Sequence, residues 1–182
     1  MIHRLARITA VGAVLTAVLV GCTAQPDPTA TPTAVFSSDE EAFAAAEATY
    51  RAYVDALNAV DLSDPETFED VYAWTTGDAN AGIRKSLSTM HAEDLTVTGT
   101  TVLILVQASS PQPVRSSESV ALDACVDVSA VEVSRQDGAS AVDPARSDVQ
   151  SVRVTLTRNP GAPFNYLVAE LASRDGEPQC GE

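Results

Sequence analysis

The chain has 182 residues, 45% of them hydrophobic and 20% charged, with 11 Lys and Arg against 25 Asp and Glu. That length suits one ordinary domain, and that hydrophobic share can build a core. The formal charge of −14 argues against a nucleic-acid binder, which works through Lys and Arg on phosphate, and against a basic face that would hold an anionic membrane.

Met1 to Arg7 is a short basic head carrying Arg4 and Arg7, and Ile8 to Val20 is apolar or small throughout. That run is too short to cross a bilayer, which takes about 18 residues or more, but it fits the apolar centre of a signal peptide. Leu19-Val20-Gly21-Cys22 follows and resembles the lipobox of bacterial lipoproteins. The resemblance implies cleavage before Cys22, so that residues 1–21 are the signal peptide, and a diacylglycerol on the Cys22 thiol. An uncleaved anchor, or a secretory signal with a chance cysteine, are the readings it displaces. Two acyl chains hold a protein stably where one does not, so the expected location is the extracytoplasmic face of the cell membrane. Cleavage removes Arg4, Arg7 and no acid, leaving 9 basic against 25 acidic side chains, a net −16. Residues 22–37 are rich in Pro, Thr and Ala, with Pro26, Pro28 and Pro32. They read as an extended spacer, reaching about 3.1 Å per residue where polyproline-like.

One globular domain is expected over 38–182. Ser38-Asp39-Glu40-Glu41 is a capping box with acids suited to the helix dipole. Phe43, Ala46, Tyr50, Tyr53, Val54, Leu57 and Val60 recur at helical spacing, which predicts a helix over 38–60. Asp64-Pro65 opens a second helix that Thr76-Gly77 closes, and 80–91 forms a third with Ile83, Leu87 and Met90 on one face.

After Asp94 the period changes to two. Leu95, Val97, Gly99, Thr101, Leu103 and Leu105 alternate along one strand. Val120, Leu122, Ala124, Val126 and Val128 alternate along the next, slip one step near Ala130 as a bulge would, and resume at Val131 and Val133. Val152, Val154 and Leu156 form a third strand, and Tyr166 to Ala172 the last. Helices followed by strands predict an α+β fold, with the N-terminal helices packed on a curved, mainly antiparallel four-stranded sheet.

That element order and the Tyr50-x-x-Tyr53 helix face resemble the NTF2-like (SnoaL-like) superfamily over roughly Phe36 to Ala172. The superfamily usually interleaves its third helix with the strands, and a cystatin-like roll fits the same order. Ala48-Thr49-Tyr50-Arg51-Ala52-Tyr53 and Ala124-Cys125-Val126-Asp127-Val128-Ser129 are similar to runs in uncharacterised lipoproteins of high-GC Gram-positive bacteria. The composition agrees: Lys85 is the single lysine beside ten arginines, as GC-rich codons produce.

With Cys22 assigned to lipid, Cys125 and Cys180 remain as an even pair in an exported chain, the setting in which disulfides persist. Two separate thiols or a metal site are the alternatives, the latter poorly supplied with histidine. His91 is the one histidine after the signal, so no His-pair metal motif exists and no catalytic partner is legible for it. A capping or solvent-exposed role at a helix end suits it better. The acidic stretch Asp61 to Asp70 lacks the glycine and final glutamate of a calcium loop. Asp123 and Asp127 share a strand face with Cys125; in a pocket they would be an acid pair, and in water plain solvated charges, the favoured reading. Tyr50, Tyr53, Tyr72 and Trp74 are the residues that could line a ligand cavity. No catalytic residue, metal or cofactor is assigned.

The expectation is therefore a membrane-anchored extracytoplasmic lipoprotein acting as a non-enzymatic binding or accessory module, with an envelope protein or a small ligand as partner and no nucleic acid. The alternative, implied by the SnoaL-like resemblance, is a small-molecule isomerase or hydrolase using a buried carboxylate.

Overall fold

The computed structural model describes residues 35–109, 118–176 and 178–180. The expected signal peptide, the lipid-bearing Cys22 and the spacer before Val35 lie outside the described residues. The chain divides into the units Met1–Thr31 and Pro32–Glu182, and the described residues all belong to the second.

Helix α1 spans Asp39–Asn58. Ser38 caps it, its Oγ accepting from the Glu41 N–H at 3.1 Å. The Glu41 carboxylate accepts from the Ser37 N–H at 2.8 Å, one residue earlier than the reciprocal box predicts. Ala42, Ala46, Tyr50, Tyr53 and Val54 form its buried face. Phe36, placed in the spacer by sequence, is buried and stacks on Tyr166 with ring centroids 5.5 Å apart.

Asp64 Oδ1 accepts from the Glu66 N–H and opens a 3-10 turn over Pro65–Thr67. Helix α2, Phe68–Tyr72, follows directly. It ends four residues before the expected Thr76-Gly77 stop, because the chain then runs along a strand edge. Gly77 instead starts helix α3, Gly77–Ala92, at a φ of +53° that L residues resist.

Among the described residues six strands follow: β1 Thr96–Thr98, β2 Val102–Ala108, β3 Ser119–Asp127, β4 Glu132–Ser134, β5 Val149–Arg158 and β6 Tyr166–Ser173. The expected four-stranded antiparallel sheet is present, in the order β2-β3-β5-β6, and β1 pairs with β4 as a separate ribbon. The fold is α+β, with helices packed on antiparallel sheets and no closed barrel among the described residues. Thr76 N donates to Val168 O at 2.8 Å and Val168 N to Trp74 O at 2.9 Å, so the α2–α3 connection covers part of the β6 edge.

Two expectations are corrected by this arrangement. The single strand through Leu95 to Leu105 is broken, because Gly99 (φ +79°) lies against the backbone of Ala130. A Cβ on residue 99 would sit 1.8 Å from the Ala130 carbonyl oxygen. The bulge expected near Ala130 is a turn, with Val131 N donating to Val128 O at 3.0 Å. Arg146 Nη2 reinforces it with bonds to Val128 O at 3.0 Å and Val131 O at 2.8 Å.

The core lies between α1 and the sheet. Leu122, Ala124 and Val126 of β3 and Val154 and Leu156 of β5 are buried with the α1 face. A second cluster, Leu62, Phe68, Tyr72 and Leu87, joins the helices.

Gly99→Ala should cost about 3 kcal/mol or more, combining left-handed strain with the clash on Ala130. Gly138 also has positive φ, but nothing lies within 4 Å of its added Cβ, so Gly138→Ala should cost about 1 kcal/mol. Urea unfolding of the two variants checks the contrast, and equal losses would refute the close approach.

Candidate functional site

The two faces of the sheet differ in chemistry. On β3, Asp123, Cys125 and Asp127 alternate with the core residues and so face away from the helices. The expectation of solvated charges holds for Asp127, which accepts from the Ser129 N–H, but fails for Asp123, which is 3% exposed. The C-terminal tail covers it. Arg153, opposite on β5, donates Nε to Asp123 Oδ1 at 2.9 Å and Nη2 to Oδ2 at 3.3 Å. Arg174 Nε lies 3.6 Å from the same carboxylate, with its side chain 2% exposed.

Arg174 also holds the tail. Its Nη1 donates to Gly176 O at 2.8 Å and its Nη2 to Pro178 O at 2.6 Å. The Cys125–Cys180 disulfide, Cα atoms 5.4 Å apart, fastens the tail to β3. Burial works against ionisation of Asp123, but the Arg153 hydrogen bonds with the Arg153 and Arg174 charges outweigh it and hold the carboxyl below its usual range.

On the inner side two recesses are lined by uncharged residues. A cleft of about 270 Å³ opens between the end of α1, α3 and the β1–β4 ribbon, walled by Leu57, Ile83, Leu87, Met90, Val97 and Val133 among others. Its polar positions are Asn58, Ser86 and Thr101. Asn58 is occupied: its Nδ2 donates to Thr101 O and its Oδ1 accepts from Thr101 N, both at 2.9 Å. A second cavity of about 310 Å³ lies farther back along α1, walled by Tyr50, Tyr53, Val54, Val126 and Leu171, with Gln150 and Ser173 at its polar side. Leu57 and Thr101 line both. Among the described residues no charged side chain lines either one.

Of the four aromatic residues expected in a cavity, Tyr50 and Tyr53 meet there, their rings stacked with centroids 6.1 Å apart. Burial raises both phenols, that of Tyr53 to about 12, so each is a neutral donor. Tyr72 lies elsewhere, packed edge-on to Phe68 and under the Arg84 guanidinium. Trp74 stacks on Phe164. Sequence reasoning missed the α3 and ribbon walls of the first cleft. Ile83, Leu87 and Met90 are visible as an apolar stripe, but nothing local shows that Val97 and Val133 stand across from them.

His91 is exposed and ties the end of α3 to the loop after α1, its Nδ1 donating to Leu62 O at 2.6 Å. Among the described residues no group of three or more His, Cys, Asp or Glu could hold a metal ion, and no helix is long and apolar enough to cross a membrane.

No family model matches the chain, and no curated protein matches it. A solved structure from Catenulispora acidiphila in complex with S-DNPA is similar at 16% identity, covering 71% of this chain and 90% of that one with a TM-score of 0.44. A second structure from that organism shares 17% identity over 71% of this chain and 87% of its own, with a TM-score of 0.44. A periplasmic fragment of TraM shares 17% identity over 78% of this chain and all of its own, with a TM-score of 0.39. At these scores none of the three resemblances bears on function.

Reducing the disulfide, which closes a separation of 55 residues, should cost about 4 kcal/mol by loop entropy. Denaturant melts with and without reductant measure it, and no change would mean the tail is not fastened in solution.

Asp123→Asn should cost about 3 kcal/mol at neutral pH, because the buried Arg174 loses its counter-charge, while the half-exposed Arg153 adds little. The folded Asp123 ionises at lower pH than the unfolded one, so its contribution is present above the unfolded pKa and lost as pH falls through the folded value. The gap between variant and wild type should therefore close in acid below about pH 4. A gap independent of pH would mean that the charge is not what matters.

Proposed function

We propose that this chain is a lipid-anchored extracytoplasmic protein whose folded unit binds a small uncharged apolar molecule without transforming it. The observation that carries the binding reading is the cleft between α1, α3 and the ribbon: concave, mostly apolar, with a few polar positions and no charge on its walls. Binding sites for small molecules have this composition. The lipobox at Cys22 supports the anchor, and the Cys125–Cys180 bridge suits an oxidising compartment. An NTF2-like fold is part of the same proposal, supported by helices that precede an antiparallel sheet and by cavities between the two layers.

An enzyme of the SnoaL-like kind would need a carboxylate in the cavity, poised to exchange a proton. The buried acid among the described residues is Asp123. It stands on the opposite face of the sheet, paired with two arginines and held ionised.

Two measurements test the proposal. Wild-type protein should sediment with membranes and Cys22→Ser should not; equal distribution would refute the anchor. The Cys22→Ser chain should bind N-phenyl-1-naphthylamine, an uncharged fluorescent probe, saturably. Ser86→Trp or Val133→Trp, which place bulk at the cleft wall, should weaken it about tenfold or more. Probe binding that does not saturate, or that both variants leave intact, would refute the site.

A further inference from the structure

The hairpin between β5 and β6 closes the sheet at the end where α1 begins. Phe36, just ahead of α1, stacks on Tyr166, the first residue of β6, and Val35 before it is exposed. Close by in the hairpin, Phe164 is 37% exposed, and its ring stacks on Trp74 with centroids 5.9 Å apart. The loop that carries Phe164, Asn159-Pro160-Gly161-Ala162-Pro163-Phe164-Asn165, has no charged residue in a chain with 25 acids. Its backbone is closed on itself. Asn159 N donates to Asn165 O at 2.8 Å, and Ala162 N donates to Asn159 O and Asn165 N to Ala162 O, both at 3.0 Å. Gly161 N donates to the Asn159 side-chain oxygen at 2.9 Å, and Pro160 and Pro163 have no N–H to satisfy. Such a loop gives up few hydrogen bonds when it leaves water, so it suits an apolar interface.

Resting on the proposed anchor, we infer that this hairpin end is a membrane contact, with the Trp74–Phe164 pair set in the headgroup region of the bilayer that holds the lipid of Cys22. Aromatic side chains, Trp above all, favour that region. The occupant follows from where the tether meets the folded unit. The segment from Cys22 to Val35 spans at most about 45 Å when fully extended, and it joins the folded unit beside Phe36, at the same end as Phe164. Two aromatic rings are too little apolar surface to hold a free protein on lipid. On a tether of that length they meet the bilayer at an effective concentration on the order of millimolar, and a weak contact is then populated. Charge sets the lipid. Asp39, Glu40 and Glu41 open α1 at this end, and the exposed Glu118 stands beside Arg158. These carboxylates disfavour anionic headgroups and leave a zwitterionic surface as the one the uncharged loop can approach.

Trp74 is the single tryptophan of the chain, so its fluorescence reports on the patch alone. Lipidated wild-type protein reconstituted in phosphatidylcholine vesicles should lose about half its emission when the acyl chains are brominated near the headgroup, because a tethered contact is populated much of the time. Exchanging part of the lipid for phosphatidylglycerol should reduce that loss. Phe164→Asp puts a charge into the contact and should abolish the loss, while the protein still sediments with the vesicles through Cys22. Pro163→Asp leaves the Trp74–Phe164 stack in place and serves instead should Phe164→Asp melt at a lower temperature. Equal wild-type emission in plain and brominated vesicles, a loss that neither variant reduces, or a loss that phosphatidylglycerol increases would overturn the contact while leaving the anchor standing. Emission that follows protein density rather than bromine would assign the patch to a second copy of the chain and overturn it equally. Failure of the wild type to sediment with the vesicles would remove the anchor itself.

Discussion

The carbonyl of Ala130 occupies the space where a side chain on residue 99 would stand, and the form of the inner site depends on that contact. It ends one strand run and splits the β structure in two. The short ribbon formed by β1 and β4 has only three residue pairs, too few to persist alone in water. It is held by the Arg146 bonds to the Val128–Val131 turn and by the side chains it shares with the helices. Were β1 to continue straight into β2, Val97 and Val133 would not face Ile83 and Leu87, and the cleft would lose a wall.

The opposite face is organised by charge. Asp123 and Arg174 are both buried in the outer layer, where either alone would carry an unbalanced charge. Together they fix the course of the tail, since the guanidinium that faces Asp123 also gathers the carbonyls of Gly176 and Pro178. The disulfide then limits how far the tail can depart. One strand, β3, thus presents Leu122, Ala124 and Val126 to an apolar interior and Asp123 and Cys125 to an ionic cover. The two-residue period of the strand makes that separation possible.

Much of this is legible from local pattern. The Ser38 cap, the apolar face of α1, the antiparallel sheet and the pairing of Cys125 with Cys180 follow from spacing and composition. The break at Gly99 is not, because Val97, Gly99, Thr101 and Leu103 keep alternating through it; the obstacle is Ala130, about thirty residues farther along the chain. Even spacing places Asp123 on its face but cannot show its cover, supplied by residues near Cys180. Grouping Tyr72 and Trp74 with Tyr50 and Tyr53 assumes that helices carry all four. Helix α2 stops at Tyr72, and the chain then turns along β6, which sends Trp74 to Phe164. The stripe of Ile83, Leu87 and Met90 has the spacing of an ordinary core face; only tertiary placement shows that part of it faces an open cleft.

Anchor and apolar cleft, as proposed, are consistent with one another. A small uncharged apolar molecule is scarce in water, because each methylene favours an apolar phase by about 0.8 kcal/mol. Its concentration is greatest in and beside a bilayer. A binding unit free in solution would meet it rarely, whereas one held at the membrane surface by two acyl chains meets it continually. On the proposed processed chain a net charge of −16 would disfavour the approach of anions, and the uncharged walls of the cleft would offer them no counter-charge.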